Sequence, residues 1–422
     1  MLTSTVYPTF LYIDPGTGSM LFSILIGAAA TLFFLGKAAW IKIKLLFTAK
    51  KNGVSTNAGT SDSNFKKYVI YNEGLQYWNT FKPVCDEFEK RQIELTYYTS
   101  AEKDPCFEQN YKFVKPEFIG EGNMAFVKLN MLSAGVVLMT TPGLQVYQLK
   151  RSKRVSHYAH VLHAPSDATM YRLFGIDYFD SVLLSGDYQK SDIRLLEQQR
   201  GLKEKELAVV GCPYLDTLKE KLESLSKEEN HNFTVLVSPS WGPSALLSKY
   251  GEKLLNPLIA SGWNIIVRPH PQSKKSEPEM LERLTELYKD AKNLTWDYER
   301  DNIYSMKKSD IMISDFSGII YDYTFLCDKP VMYVNAQLDL MPYDAYDLPE
   351  NGRNIWQFAT LSKIGIELKE EKFDNIKEII QAASDSKELS ELRHKAKAEA
   401  WMNEGNAGKA IADFMISKGD AQ

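Results

Sequence analysis

The residues of this 422-residue chain best suited to chemistry stand at the ends of apolar runs. Within residues 309–323, a strand-like run of Ile311, Met312 and Ile313 gives way to Ser314, Asp315, Phe316, Ser317 and Gly318, and a helical pattern starts at about Ser317. A helix N-terminus at a strand's carboxyl end offers unpaired backbone N–H groups and the positive end of the helix dipole, which together bind phosphate. Ser314 and Ser317 add hydroxyl donors, and Gly318 lets a ligand approach the backbone closely. The same residues also suit an ordinary helix N-cap, an equal reading from spacing alone. Two more runs end alike. Residues 235–237 lead into Ser238, Ser240, Trp241 and Gly242, and residues 264–267 deliver Arg268 and His270, the histidine flanked by Pro269 and Pro271. Strand alternation places Arg268 and His270 on one side. Open α/β sheets bind ligands outside the carboxyl ends of their strands, so three such ends within ~85 residues predict a nucleotide or pyrophosphate site in the C-terminal half.

A second cluster lies earlier. His157, His160 and His163 make up half of the six histidines. On a helix, spacing of three would put them on one face, as a metal site needs. Residues 155–162 also read as a strand, on which 157 and 163 point one way and 160 the other. No cysteine or ordered carboxylate set accompanies them, so no metal is predicted. The four cysteines are dispersed, without a CxxC pair, and indicate neither zinc nor a disulfide framework. Lys150, Arg151, Lys153 and Arg154 form a basic run. It fits a solvated face, or a surface that draws in anionic lipid or an acidic acceptor chain. Asp322 fits either a helix-surface carboxylate or a site residue, and Trp241 either a stacking platform for a base or a packing residue.

The RPHP sequence at 268–271, followed by SDFSGIIYDY at 314–323, resembles the signature of the CDP-glycerol glycerophosphotransferases, the teichoic acid primases and polymerases and their relatives. That family usually has an HP dipeptide, then a Ser-Asp-Tyr-Ser-Ser-like turn and an Asp-Tyr pair. Here the turn is Ser314-Asp315-Phe316-Ser317-Gly318 and the pair Asp322-Tyr323. The resemblance runs from about residue 65 to about 400 and is most specific in the C-terminal half. It implies two facing Rossmann-like domains (the GT-B architecture), a CDP-alditol donor such as CDP-glycerol, a membrane-linked polymer or glycolipid acceptor, and no cofactor. The family's N-terminal domain usually carries a Trp-His-Gly-Thr-Pro-like motif after a strand. His163, before Ala164-Pro165, stands at that place without the Trp and the Gly.

Carried over residue by residue, the resemblance makes His163 the base for the acceptor hydroxyl and His270 a donor to the transferring phosphate. A neutral imidazole with a pKa near ~6.5 suits the first role. Arg268, Ser238, Ser240, Gly242, Ser314, Ser317 and Gly318 are then expected to hold the donor's phosphates and nucleotide. Asp315 would orient a donor group or hold the ribose, because a carboxylate repels phosphate. The activity expected is transfer of glycerol phosphate, or a related alditol phosphate, from the CDP donor. A GT-B glycosyltransferase or epimerase using another nucleotide sugar is the enzyme alternative. A non-catalytic nucleotide- or polymer-binding membrane protein is the other.

These residues need elements to position them. Residues 67–71, 93–99, 135–140, 182–185, 207–211, 233–237, 264–268, 310–314 and 330–334 read as strands alternating with helical segments, the pattern of α/β folds with parallel sheets. The length suits two domains, at 65–228 on the acceptor side and 229–422 on the CDP-donor side. Residues 387–414 read as a long amphipathic helical region broken near Gly405. With 50 basic and 54 acidic residues the net charge is −4, so no basic field points to nucleic acid. Residues 20–35 carry no charge, and Lys37, Trp40, Lys42, Lys44, Lys50 and Lys51 follow. Such a run is long enough to span a bilayer, with its basic flank in the cytoplasm. We therefore expect an N-terminal segment, 1–51, with a transmembrane helix at about 19–41, and a flexible linker at 52–64. The expected location is the bacterial cytoplasmic membrane, single-pass, with the catalytic part in the cytoplasm.

Overall fold

The computed structural model describes residues 64–226, 232–299, 301–335, 338–384 and 386–421. The expected membrane anchor and the linker up to residue 63 lie outside these residues. Among the described residues no helix is long and apolar enough to cross a membrane.

Two parallel sheets organise the chain. The first has seven strands, β1 (Lys66–Asn72), β2 (Leu95–Thr99), β3 (Val114–Phe118), β4 (Ser133–Met139), β5 (Arg154–Val161), β6 (Ser181–Leu184) and β7 (Glu206–Val209), in the order β3-β2-β1-β4-β5-β6-β7. The second has six, β8 (Thr234–Val237), β9 (Asn264–Val267), β10 (Leu294–Trp296), β11 (Ile311–Ser314), β12 (Val331–Tyr333) and β13 (Gly365–Glu367), in the order β10-β9-β8-β11-β12-β13. Helices cover both faces of such sheets, so central strands are continuous apolar runs. All seven residues of β4 and all four of β8 and β11 are buried. Pro116 lacks a ladder donor and sits in β3, at an edge, where proline is tolerated. Strand order reverses between β1 and β4, and again between β8 and β11. Ligand crevices form at such switch points.

The helices that bear on the site are α1 (Trp78–Lys90), α2 (Asn123–Asn130), α3 (Pro213–Ser224), α4 (Ile319–Cys327), α5 (Lys387–Ala400) and α6 (Ala407–Asp420). The expected long C-terminal helix is α5 and α6. The break between them contains Asn403 and Gly405, at φ 55° and 77°, a left-handed conformation that ends a helix. The sequence placed all of 229–422 in the second domain. Instead, α6 packs on the first sheet: Ile411, Ala412 and Met415 share a buried core with Tyr68, Ile70, Phe81 and Val136. Its small residues permit this closeness. A Cβ on Gly408 would lie 2.6 Å from the Pro83 carbonyl oxygen, and one on Gly419 2.4 Å from the Tyr68 ring.

The two halves also meet through residues 340–348. Arg200 pairs with Asp177 at 2.8 Å, Asp344 at 2.7 Å and Asp347 at 2.6 Å. Asp344 also accepts the backbone N–H groups of Phe174 and Gly175. Desolvation raises the Asp344 pKa, and the neighbouring guanidinium and amides offset that cost.

Candidate active site

Asp315 lies at the carboxyl end of β11, buried, and its carboxylate ties two turns together. Oδ1 accepts the N–H groups of Ser240 at 2.9 Å and Ser317 at 3.1 Å, and Oδ2 accepts that of Leu246 at 2.9 Å. Burial pushes its pKa up, while these amides pull it down. The turn after β8 and the turn after β11 are thereby held as one unit. Ser314 turns inward instead. Its hydroxyl is fully buried and donates to the Ser238 carbonyl at 2.6 Å, so it locks neighbouring strand ends and does not face the cleft. Gly242 has φ 98°, a conformation suited to glycine, and donates to Glu277 at 3.1 Å. Gly318 caps α4 with open space where a Cβ would stand.

Arg268 and His270 follow the end of β9 and line the same cavity. The Arg268 guanidinium is held by Asp297 at 2.6 Å and by the Glu299 carbonyl at 2.7 Å. His270 Nδ1 accepts the Gln272 N–H at 3.1 Å. A neutral imidazole with Nδ1 as acceptor carries its proton on Nε2, so His270 presents a donor. Burial lowers its pKa, with Glu277 pulling the other way. The Trp241 ring is 44% exposed, centred 6.3 Å from that of His270.

Some of these groups meet at a cavity of about 690 Å³ between the two sheets. Ser238, Arg268, His270 and Ser317 line its second-sheet wall. Gln76, Trp78 and Asn79, after β1, line the other, and Tyr214 and Lys221 of α3 close one side. Lys221 reaches Asp301 at 3.4 Å across the cleft. The sequence reading missed Gln76, Asn79, Tyr214 and Lys221; the Glu73-Gly74 turn after β1 was the available signal for the first two. Ser240, Gly242, Ser314, Asp315 and Gly318 do not line this cavity; Asp315 acts on its wall through backbone amides.

His163 does not line it either. It follows β5, with its ring centre 5.0 Å from that of Tyr77, between cavity residues Gln76 and Trp78. His163 Nδ1 meets the Thr140 hydroxyl at 3.1 Å and the Tyr171 hydroxyl at 3.3 Å, and Tyr171 meets His160 Nε2 at 3.1 Å. One tyrosine thus joins two imidazoles. If Tyr171 donates to His163, then His160 donates to Tyr171, and the His163 proton sits on Nε2. If His163 donates from Nδ1, its Nε2 is a free base, and His160 carries its proton on Nδ1, which is buried without a partner. Burial lowers the His163 pKa to about 4 and that of His160 to about 3, so both are neutral near pH 7. His157 points to the opposite face, against Ser181 at 2.9 Å and Phe414. His157 therefore stands apart from the two histidines that Tyr171 joins. Among the described residues no three His, Cys, Asp or Glu side chains are grouped as metal ligands.

Asp322 is buried in α4. Oδ2 accepts the Tyr214 hydroxyl at 3.2 Å, whereas Oδ1 has no partner. Burial raises its pKa to about 7. Asp167 is similar, with Oδ2 unpaired and burial raising its pKa to about 6.

Comparison with known proteins bears on the fold and on residues 177–348. No curated protein matches the chain. Among solved structures, the wall teichoic acid polymerase TagF superposes with a TM-score of 0.52 at 13% identity, covering 86% of this chain and 91% of that one. UDP-GlcNAc 2-epimerases superpose as well. That of Methanocaldococcus jannaschii gives a TM-score of 0.51 at 15% identity, over 83% of this chain and 100% of that one. That of Neisseria meningitidis, bound to UDP-GlcNAc, gives 0.51 at 14%, over 84% and 100%. Identities this low establish the shared two-sheet fold alone. The sequence model for CDP-glycerol:poly(glycerophosphate) glycerophosphotransferases matches residues 177–348. That stretch carries Arg268, His270 and the Ser314–Tyr323 motif, and over it the chain is similar to that family.

Proposed function

We propose that the chain transfers glycerol phosphate, or a related alditol phosphate, from a CDP-activated donor such as CDP-glycerol to a membrane-linked glycan or polymer acceptor in cell-surface polymer synthesis. The observation that carries this reading is one cavity faced by His270, Arg268 and Ser317, which lie inside the stretch matched by the family model, and by Gln76 and Asn79 from the other sheet. TagF, one of the structural neighbours, has also been solved with CDPG.

In this reading the diphosphate rests against the turn after β11. Ser317 and Nε2–H of His270 donate to phosphate oxygens, and Arg268, steadied by Asp297, supplies positive charge. Ser238, Ser240 and Gly242 shape the neighbouring turn, and Gly318 leaves the start of α4 open to the ligand. The acceptor oxygen bonds to the β-phosphorus, the bond from that phosphorus to the bridging oxygen breaks, and CMP departs. Donors fixed in advance stabilise the charge that develops on the phosphate. The acceptor proton passes to His163 when His163 is in its Nδ1–H tautomer, donating to Tyr171 or Thr140. Phosphate charge nearby would raise the low His163 pKa toward the value a base needs at neutral pH. Residues 19–41 would hold the chain in the membrane, with the catalytic part on the cytoplasmic side.

The test is CMP release from CDP-glycerol by the full chain in the presence of lipid acceptor. His270→Ala is expected to lower kcat by about 10²–10³ and to weaken donor binding. His163→Ala is expected to lower kcat by roughly 10²–10⁴ with donor binding nearly intact. Full turnover by His163→Ala removes the base assignment. Turnover of a UDP-sugar with none of CDP-glycerol would favour an epimerase or glycosyltransferase.

A further inference from the structure

Thr140 directly follows β4, the strand beside which the order of the first sheet reverses, and is fully buried. Its hydroxyl lies 3.1 Å from His163 Nδ1 and also hydrogen-bonds the Tyr171 hydroxyl. Tyr171 in turn reaches His163 Nδ1 at 3.3 Å and His160 Nε2 at 3.1 Å. Two hydroxyls and two imidazole nitrogens thus form one connected group, in which His163 Nδ1 touches both hydroxyls.

The protons of this group can be counted. Burial keeps both imidazoles neutral near pH 7, so each ring has one N–H and one lone pair. His160 Nδ1 is buried without a partner. A buried N–H left without an acceptor is rarer in folded proteins than an acceptor left short of donors. The His160 proton therefore belongs on Nε2, donating to Tyr171. The phenol oxygen then gives its own O–H to one of two acceptors. Donation to His163 Nδ1 puts the His163 proton on Nε2, where the ring can no longer accept one. Donation to the Thr140 oxygen frees His163 Nδ1 to carry the proton and donate it to either hydroxyl, and Nε2 becomes a lone pair. This arrangement leaves no buried N–H unpaired. One O–H rotation separates the two states, and the Tyr171 ring stays in place. Its backbone carbonyl accepts the Asp344 N–H at 2.9 Å, and the Leu173 N–H donates to the Pro342 carbonyl at 3.1 Å. The ring itself stands edge-on to His160, with centres 5.1 Å apart.

We propose that Thr140 is a positioning residue: by accepting the hydrogen bond of the Tyr171 hydroxyl it holds His163 in the Nδ1–H tautomer, with Nε2 ready for the acceptor hydroxyl. The change of tautomer takes one proton from Nε2 and puts one on Nδ1 by exchange with water, with no change of charge. The proposal rests on His163 as the base and adds what prepares it for that role.

The test uses the full chain with histidine isotopically labelled at its ring nitrogens, read by NMR near neutral pH. The His163 signals are identified by their loss in His163→Gln. Protonated and unprotonated ring nitrogens resonate far apart, so the tautomer is read directly. Wild type should carry the proton on Nδ1. Thr140→Val, which keeps the shape of threonine and removes the hydroxyl, should move it to Nε2. Thr140→Ala, smaller than either, should do the same, and Thr140→Ser should keep the wild-type pattern. In CMP release, kcat should fall about ten-fold or more in Thr140→Val and recover in Thr140→Ser, with the donor KM unchanged. A wild-type proton on Nε2, or identical His163 signals in wild type and Thr140→Val, overturns the proposal. A proton moved to Nε2 with full kcat retained would uphold the tautomer assignment and remove His163 as the base, so the two readings fail separately.

Discussion

Asp315 and Asp322 lie seven residues apart, just past the end of β11 and in the first turn of α4, and both are buried carboxylates. Asp315 spends both oxygens on three backbone amides. Asp322 has one tyrosine hydroxyl and one unpaired oxygen. The first carboxylate converts burial cost into geometry, because its amide partners belong to two turns that must stay in register. The second carries a burial cost that one tyrosine hydroxyl offsets only in part. Its one partner, Tyr214, lies on the wall of the cleft.

Removing the first carboxylate should therefore have the largest effect. Asp315→Ala leaves three amides without their acceptor, each worth about 1–3 kcal/mol when buried, less the relief of a desolvated charge. We expect a loss of about 2–4 kcal/mol in denaturant unfolding, with CDP affinity lost too. Native stability in this variant would end the comparison.

Asp322→Asn should act in the opposite direction. A carboxyl whose folded pKa is raised from 3.8 to about 7 favours the protonated form, so its contribution is most favourable below pH 4. That contribution falls as pH rises to 7 and is a penalty of up to about 4 kcal/mol above it. The amide removes the titration. We expect a gain of about 1–3 kcal/mol at pH 8 and little change at pH 4, measured by urea titration at both. A loss at pH 8 would mean that the charged form is needed by the fold.

The two serines sharpen the contrast on a smaller scale. Ser317→Ala should weaken CDP binding by about 1–2 kcal/mol in calorimetry, as expected for one donor to a charged group, with stability unchanged. Ser314→Ala should do the reverse, costing about 1 kcal/mol of stability through its bond to Ser238, with CDP affinity intact. An equal loss of affinity in both would mean that Ser314 reaches the ligand.

Much of this was readable in the chain. Central strands announced themselves as unbroken apolar runs, and Ser314 to Gly318 marked the right turn. The short β10 and β13, three residues each, gave too little pattern. β3 was hidden by Pro116, which also marks it as an edge. What the residue types could not give was direction. Serines 314 and 317 look alike in sequence, but strand geometry turns one hydroxyl inward and leaves the other at the cavity. His163 follows β5, yet its tautomer depends on Tyr171 and His160, which only the fold brings together. Amphipathic spacing likewise shows that α6 covers a core without saying which one.

The placement of α6 bears on the order in which the molecule can be completed during synthesis. The second sheet and its helices are covalently present once residue 401 has been made, since Ala396, Ala400 and Trp401 are the last residues of their core. The face of the first sheet around Tyr68 and Ile70 waits for Ile411 to Met415. One clasp on it, Lys67 to Asp420 at 2.6 Å, joins residues 353 apart in the chain. Contacts of such long sequence separation close late. Of the two halves, the one made earlier is thus sealed later, and loss of α6 is felt by the first sheet rather than the second.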